Sequence, residues 1–438
     1  MRLPARLLVS LVCGAALLVL PARADLPSED LSSAGPVPAD PTPTDSTSVL
    51  DRFSLAGYGT VNYFNYDWET VPEKRSVVDL ERFVLYPGVR LANGVRLLGE
   101  IEIEHGGTGV TKEFDRFEEA GEFENEIEGG GEVTLEQLNV TFDLRENLRL
   151  RAGRFKIPFG LASVNDEPPE YFATTRAEME AQMIPTNWYE IGVQGEASFG
   201  RMDVSAAVVN GLNSAEFSAA NWVVRGHQQK FEDVAAEDLA FTGRVDVRFG
   251  EESFAGFSGY IGDSADNRRK STLLDGGEEV SALVSVVDAH VQVREGPWTA
   301  RGVLLYGHLQ NSSVVADNNR GLSNNLNAKR TPVGSDALGY RVEGGVDVLS
   351  FLTGTAQRLD VFGRYSFYDT QWRTDGSVSD DPLWERSVAA AGLNWHVAEP
   401  VVLKAEYSQR VRGRERSVRG GSAGDRETTI SFGLGFEF

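Results

Sequence analysis

From Asp51 to the C-terminus, apolar and polar residues alternate with a period of two. In the last segment Ile430, Phe432, Leu434, Phe436 and Phe438 alternate with Ser431, Gly433, Gly435 and Glu437. Successive strand side chains point to opposite faces, so one face here is wholly apolar and the other small or polar. The pattern recurs with Val401, Leu403, Ala405 and Tyr407 set against Lys404, Glu406, Ser408 and Arg410. It recurs again with Leu239, Phe241, Val245, Val247 and Phe249 against Thr242, Arg244, Asp246 and Arg248. A soluble sandwich also alternates, but with shorter strands and its polar face turned to water.

The connections narrow the choice further, because they alternate between tight and long. Tight turns fall at Ala92-Asn93-Gly94, Arg145-Glu146-Asn147, Phe199-Gly200-Arg201, Gly250-Glu251-Glu252, Glu295-Gly296-Pro297, Ser350 to Gln357 and Ala398-Glu399-Pro400. Long loops fall around 67–76, 106–131, 160–188, 211–237, 262–278, 310–337, 369–383 and 412–426, so seven turns and eight loops join sixteen strands. An even strand count with short turns on one side and long loops on the other is the organisation of an outer-membrane barrel. Lipid cannot satisfy an open sheet edge, so the sheet must close, and sixteen strands leave an aqueous lumen. The fold class expected is all-β, a 16-stranded antiparallel transmembrane β-barrel in the outer membrane of a Gram-negative bacterium. Trp298 and Trp395 beside short turns, and Trp188, Trp222, Trp372 and Trp384 near the long loops, are expected to form two headgroup girdles. Phe432, Phe436 and the terminal Phe438 resemble the C-terminal strand signature by which the barrel assembly machinery recognises its clients.

Two places break the alternation. After Leu148, simple continuation would aim Arg154 and Lys156 at lipid, at roughly 2 to 4 kcal/mol for each cation near the midplane. A one-residue bulge at Gly153 would restore the sense and turn Arg149, Arg151, Arg154 and Lys156 to the lumen. A similar phase change at Glu81-Arg82 sends Arg82 inward, and the next strand points Glu100 and Glu102 inward. With Arg244, Arg248 and Arg301 these residues give a lumen wall of mixed sign, in which most charges simply pair with neighbours. The third long loop is the candidate to narrow the pore, and it carries Asp166, Glu167, Glu170, Glu178 and Glu180 against Arg176. The second loop holds eight carboxylates from Glu113 to Glu128 against Lys112 and Arg116. Acid at the mouth and constriction draws cations and repels anions within a Debye length of ~10 Å at 0.1 M salt. The alternative for the second loop is a solvated surface, bridged by divalent cations to lipopolysaccharide.

The N-terminus bounds the rest. Arg2 and Arg6 precede the apolar run Leu7 to Leu20, and Ala22-Arg23-Ala24 offers a cleavage site, so residues 1–24 read as a signal peptide. Residues 25–50, with Pro27, Pro36, Pro38, Pro41 and Pro43, have the composition of a disordered periplasmic linker, and 51–438 form the barrel. Residues 1–24 contain three arginines and no acids, so their removal takes the formal charge from -23 to -26. A chain this acidic, with no basic patch, does not suit nucleic acid. The sole cysteine, Cys13, lies in the signal segment. The five histidines, His105, His227, His290, His308 and His396, lack metal-ligand spacing. No metal site, cofactor or catalytic residue is expected, although His290 and His308 on adjacent strands leave a Ser-His pair open. A 26-residue linker is too short to form a plug domain.

The run Arg151-Ala152-Gly153-Arg154-Phe155-Lys156-Ile157-Pro158-Phe159-Gly160-Leu161, followed by a long loop and Glu190-Ile191-Gly192-Val193, resembles the phosphate-selective porins O and P, as do the neighbouring segments from Glu81 to Leu91 and Leu135 to Leu144. The resemblance is specific over residues 79–195. It implies a sixteen-stranded barrel, commonly trimeric, with a pore-constricting third extracellular loop. The expected function is passive diffusion of small hydrophilic solutes and ions. Phosphate or other anion selectivity is the alternative, and an outer-membrane hydrolase the more distant one. The family's phosphate channels line their pore with an arginine ladder and a lysine cluster, whereas the loops here are acidic.

Overall fold

The structure, a computed structural model, describes residues 49–107, 131–185, 187–228, 233–269, 271–320, 322, 330–352, 357–413 and 425–438. The expected signal peptide, nearly all of the linker and the acid-rich second loop lie outside them.

Sixteen strands form the wall. They are β1 (Phe53–Trp68), β2 (Val77–Ala92), β3 (Val95–Glu104), β4 (Glu132–Arg145), β5 (Leu148–Lys156), β6 (Tyr189–Phe199), β7 (Met202–Asn210) and β8 (Leu239–Arg248). The second half comprises β9 (Phe254–Gly262), β10 (Val284–Glu295), β11 (Trp298–Leu309), β12 (Asp336–Asp347), β13 (Arg358–Arg373), β14 (Glu385–Ala398), β15 (Val401–Arg412) and β16 (Arg426–Glu437). Each strand pairs antiparallel with its sequence neighbours, and β16 pairs with β1 to close the barrel. A small hairpin, Leu274–Asp275 with Glu278–Glu279, decorates the loop after β9.

The period of two sets the two faces of the wall. On β8 and β9, Phe241, Val245, Val247, Phe257 and Ile261 are exposed on the outside, while Thr242, Arg244, Asp246 and Ser258 are buried within. Lipid would cover the first set, and the second set stays hydrogen bonded inside. Where the phase must change, the register shifts. Thr60 of β1 opposes Arg82 of β2 but Asn62 opposes Asp79, so Leu80 and Glu81 share one position of β1 and Arg82 turns inward.

Near Gly153 the device differs from the expected bulge. The ladders of β5 with β4 and β6 run unbroken through Gly153. Gly153 itself has φ +127°, and this backbone twist accompanies the inward turn of Arg154 and Lys156. The extra residue is on β4, where Glu100 opposes Gln137 and Ile101 opposes Leu135, leaving Glu136 unpaired in the ladder and both Glu136 and Gln137 buried.

Several of the long loops contribute described residues to one buried apolar cluster. Residues 157–188 leave and rejoin the wall at a neck closed by Ile157 N–H donating to the Trp188 carbonyl at 2.7 Å, and they contain the short helix α1 (Glu178–Met183). The loop after β7 places Phe217, Trp222 and Val223 in an apolar cluster with Ile157, Phe159, Leu161, Met179, Met183 and Trp188 of the third loop. The Asn-rich loop after β11, which reads as merely polar in sequence, forms α2 (Ser312–Arg320) and adds Val315 and Ala316 to the same cluster. Trp188, Trp222 and Trp384 are therefore buried and not in a girdle, while Trp298 and Trp395 are exposed beside short turns. Inner-wall glycines receive the loop side chains: a Cβ at Gly307 would strike Trp222, one at Gly345 would strike Phe172, and one at Gly339 would strike Met183 and Met179.

Candidate functional site: the barrel interior and its third loop

The third loop is tied to wall strands around most of the circumference. Its first turn is fixed locally by Asn165 N–H to Leu161 O at 3.0 Å and by Ser163 Oγ–H to Phe159 O at 2.6 Å. Gly160 then docks on the wall, its N–H donating to Asp288 at 3.2 Å and its carbonyl accepting from Arg244 Nη1 at 2.6 Å. Asp166 is the main junction. Its carboxylate takes Lys156 Nζ at 2.8 Å, Arg82 Nη1 at 3.0 Å, Tyr58 Oη at 3.0 Å and Arg176 Nη1 at 2.5 Å. Burial alone would raise this carboxyl, but the charges of Lys156, Arg82 and Arg176 hold it well below the usual carboxylate range. Beside it, burial and then the Asp166 charge push the Glu167 carboxyl up to about 8, so Glu167 is mostly neutral at pH 7.

Further along, Glu170 pairs with Arg294 at 2.9 Å and its carbonyl accepts from Arg301 Nη2 at 2.6 Å. Lys404 Nζ donates to the carbonyls of Tyr171 at 2.7 Å and Ala173 at 2.8 Å, and Thr174 N–H donates to Glu406 at 2.9 Å. Glu178 pairs with Arg410 at 2.9 Å and accepts from Tyr368 Oη–H. Glu180 takes Arg341 Nη2 at 2.8 Å and caps the N–H groups of Leu161 and Ala162 at 3.0 and 2.9 Å. Every hydrogen bond to a charged group in this set takes the strong, charge-assisted form. The loop acids and the wall cations thus satisfy one another inside the barrel.

The residues singled out in the sequence separate into two groups. Arg82, Lys156, Arg244 and Arg301 meet the third loop directly, and Glu102 joins through its pair with Arg82. Glu100 lies beside them, accepting from Tyr189 Oη at 2.7 Å and from Gln137. Arg154 turns instead to Glu136, bonding its carbonyl at 2.8 Å and its carboxylate at 3.3 Å. Arg149, Arg151 and Arg248 sit toward the short-turn end, paired with Asp143 and Glu196, with Glu196, and with Asp203 respectively. At the C-terminus, Phe432 stacks on Tyr63 and Phe438 on Phe83, while the Phe436 ring packs where Gly59 leaves room for it.

The structure also adds contacts and residues that sequence reading missed. His290 lies between two carboxylates, with Nδ1 2.5 Å from Asp288 and Nε2 2.6 Å from Asp246. Its inward position was legible, but not its partners, because Asp246 is on a strand 44 residues away. His308 is exposed and opposes Ser285 in the ladder, on the face opposite to His290, so the two histidines do not share the lumen side. Tyr58, Tyr189 and Arg294 had no sequence signal beyond strand phase. Among the described residues no group of His, Cys, Asp and Glu has the arrangement of a metal site.

Residues 110–250 match the family model described as phosphate-selective porin O and P, which supports the resemblance carried by the Arg151 to Leu161 segment. A protein of Aquifex aeolicus described as uncharacterized is 26% identical over 371 residues, covering 82% of this chain and 76% of its own. Among solved structures, Pseudomonas putida OprB in its high-pH form aligns with a TM-score of 0.53 at 12% identity, covering 88% of this chain and 94% of that chain. An anion-selective porin from Comamonas acidovorans aligns at 0.50 with 12% identity, covering 88% and 99%. The trimer form of Vibrio cholerae OmpT, an outer membrane protein, aligns at 0.50 with 10% identity and the same coverage. At these identities the structural likeness concerns the fold alone. The protein has the sixteen-stranded closed-barrel architecture of outer-membrane porins and is located in the outer membrane of a Gram-negative bacterium. The family match and the fold together support an outer-membrane porin channel, and a non-enzymatic one.

Proposed function

We propose that the protein is a passive porin through which small hydrophilic solutes and ions diffuse, with residues 161–185 narrowing the bore. The observation that carries this reading is the third loop held inside the barrel by ion pairs to β2, β5, β10, β12 and β15 and by a hydrogen bond to Tyr58 of β1. A loop fastened on so many sides sets a size limit without closing as a lid.

The same pairs bear on selectivity. Asp166 alone engages three cations, and Glu170, Glu178 and Glu180 each engage an arginine of the wall. Basic side chains that would otherwise attract anions are thereby neutralised, while the chain carries a formal charge of -23. We read the pore as weakly cation-selective and not phosphate-selective. The trimer form of the Vibrio protein supports a homotrimer; lipopolysaccharide around it and insertion by the barrel assembly machinery through the Phe432, Phe436 and Phe438 strand are part of the same proposal.

Planar-bilayer recordings in a potassium chloride gradient test the reading. Ohmic conductance with a reversal potential on the cation side is expected. Purified protein that conducts no ions would remove the porin reading, and anion selectivity with phosphate block would replace the cation preference with the family's own.

A further inference from the structure

The inner face of β1 above the third loop is aromatic. Phe64, Tyr66 and Trp68 occupy successive inward positions, as their partners Ser431, Thr429 and Glu427 on β16 show. All three are half-buried; on β16 they face Ser431, Thr429 and Glu427, and the guanidinium of Arg410, paired with Glu427, lies 4.7 Å from the Trp68 ring centroid. The Tyr66 and Trp68 rings meet edge to face, with centroids 5.2 Å apart and an interplanar angle of 74°. The Trp68 indole is held in place by Nε1–H donating to Thr429 Oγ1 at 3.1 Å.

Two aromatic walls at nearly a right angle form a corner, and a cation fills it. The ammonium of Lys74 lies 3.9 Å from the Trp68 ring centroid and 4.7 Å from that of Tyr66. Lys74 is placed there by a turn that folds the first loop back over the strand end, with Val71 N–H donating to Trp68 O at 3.3 Å and Lys74 N–H to Val71 O at 3.0 Å. The lysine comes from a surface loop and is itself half-buried, so the corner opens to the mouth of the barrel. The ring quadrupole attracts an alkylammonium head without requiring a fixed hydrogen-bond geometry. Acidic residues flank the corner in sequence: Asp67, Glu69 and Glu73 are exposed beside Trp68 and Lys74.

We infer that the Tyr66–Trp68 corner is a binding site for organic ammonium solutes at the mouth of the pore, and that Lys74 is its tethered, displaceable occupant. The inference deepens the channel reading, on which its meaning as a solute-collecting site rests. A mobile ammonium compound displaces the Lys74 head from the rings and enters the bore from there. Neutral sugars gain nothing from the charge and are the contrasting solute class.

Equilibrium binding of choline to the purified full-length protein in detergent tests this, independently of conduction. Removing the tethered competitor with Lys74→Ala is expected to tighten choline binding roughly five- to tenfold. Adding Trp68→Leu to Lys74→Ala keeps apolar bulk, removes the π face and is expected to abolish that gain, with folding of each variant verified by its heat-modifiable gel shift. Equal choline affinity in the wild type and Lys74→Ala, or an undiminished gain in the double variant, overturns the site. So does binding of glucose in preference to choline. In bilayers, choline is expected to reduce potassium current through Lys74→Ala more than through the double variant. Protein that binds choline in this pattern but conducts no ions would retain the site and refute the channel reading.

Discussion

Between Arg151 and Arg154 the chain must turn a cation that simple alternation would aim at lipid back toward the interior, and it does so at Gly153. A φ of +127° is open to glycine and strained for any residue with a Cβ. A Cβ there would also sit 2.5 Å from the Leu138 carbonyl oxygen, a backbone atom of the neighbouring strand that cannot swing aside. Gly153→Val is therefore expected to destabilise the barrel by about 1–3 kcal/mol. Urea titration of protein refolded in lipid vesicles measures this, and an unchanged midpoint would show that the backbone twist is incidental. Sequence phase alone showed that something must happen between Arg151 and Arg154. It did not distinguish a bulge from a glycine-only twist, because both reverse the face of the following side chains.

At the scale of the element, the third loop is an assembly of short segments each fixed to a different strand. Glu180 illustrates the design, since one carboxylate on α1 caps two N–H groups at the start of the loop and binds Arg341 of the far wall. Its removal leaves Arg341 with a second partner, Glu343 at 3.0 Å, so the cation is not stranded. Glu180→Gln is thus expected to cost about 1–3 kcal/mol, less than breaking an isolated buried pair. The sharper effect falls on the pore: single-channel conductance rises and fluctuates as the two ends of the loop come apart, and steady wild-type conductance in Glu180→Gln would refute the clamp. The strands and the alternation of turns and loops were legible because a period of two and the turn residues are local signals. The loop contacts were not, since Glu180 and Arg341 are 161 residues apart and nothing near either one specifies the other. The inward folding of Trp222 was hidden for the same reason, because its socket is Gly307, and a strand glycine announces only that something approaches closely.

At the scale of the whole molecule, Phe438 meets the first strand where the barrel closes. Gly57 N–H donates to the Phe438 carbonyl at 3.0 Å and Phe438 N–H donates to the Gly57 carbonyl at 2.9 Å, so the C-terminal residue completes the β1–β16 seam. The Phe438 ring lies over Gly57 and stacks on Phe83 of β2, with centroids 6.2 Å apart, spanning the seam on its outer face. This gives the residue a physical role in addition to any recognition by the assembly machinery, and the two roles can be separated. Deleting Phe438 removes two seam hydrogen bonds and an aromatic contact, each of the order of 1 kcal/mol. If the contact is structural, the truncated chain refolds more slowly and to lower yield in pure lipid vesicles, read by the heat-modifiable gel shift. If the residue acts only as a signal, refolding in vesicles is unchanged while insertion in cells is lost. Unimpaired behaviour in both settings would refute a role for Phe438 in closure and in recognition alike, and would place the stability of the seam in the eleven register pairs from Tyr58 to Trp68.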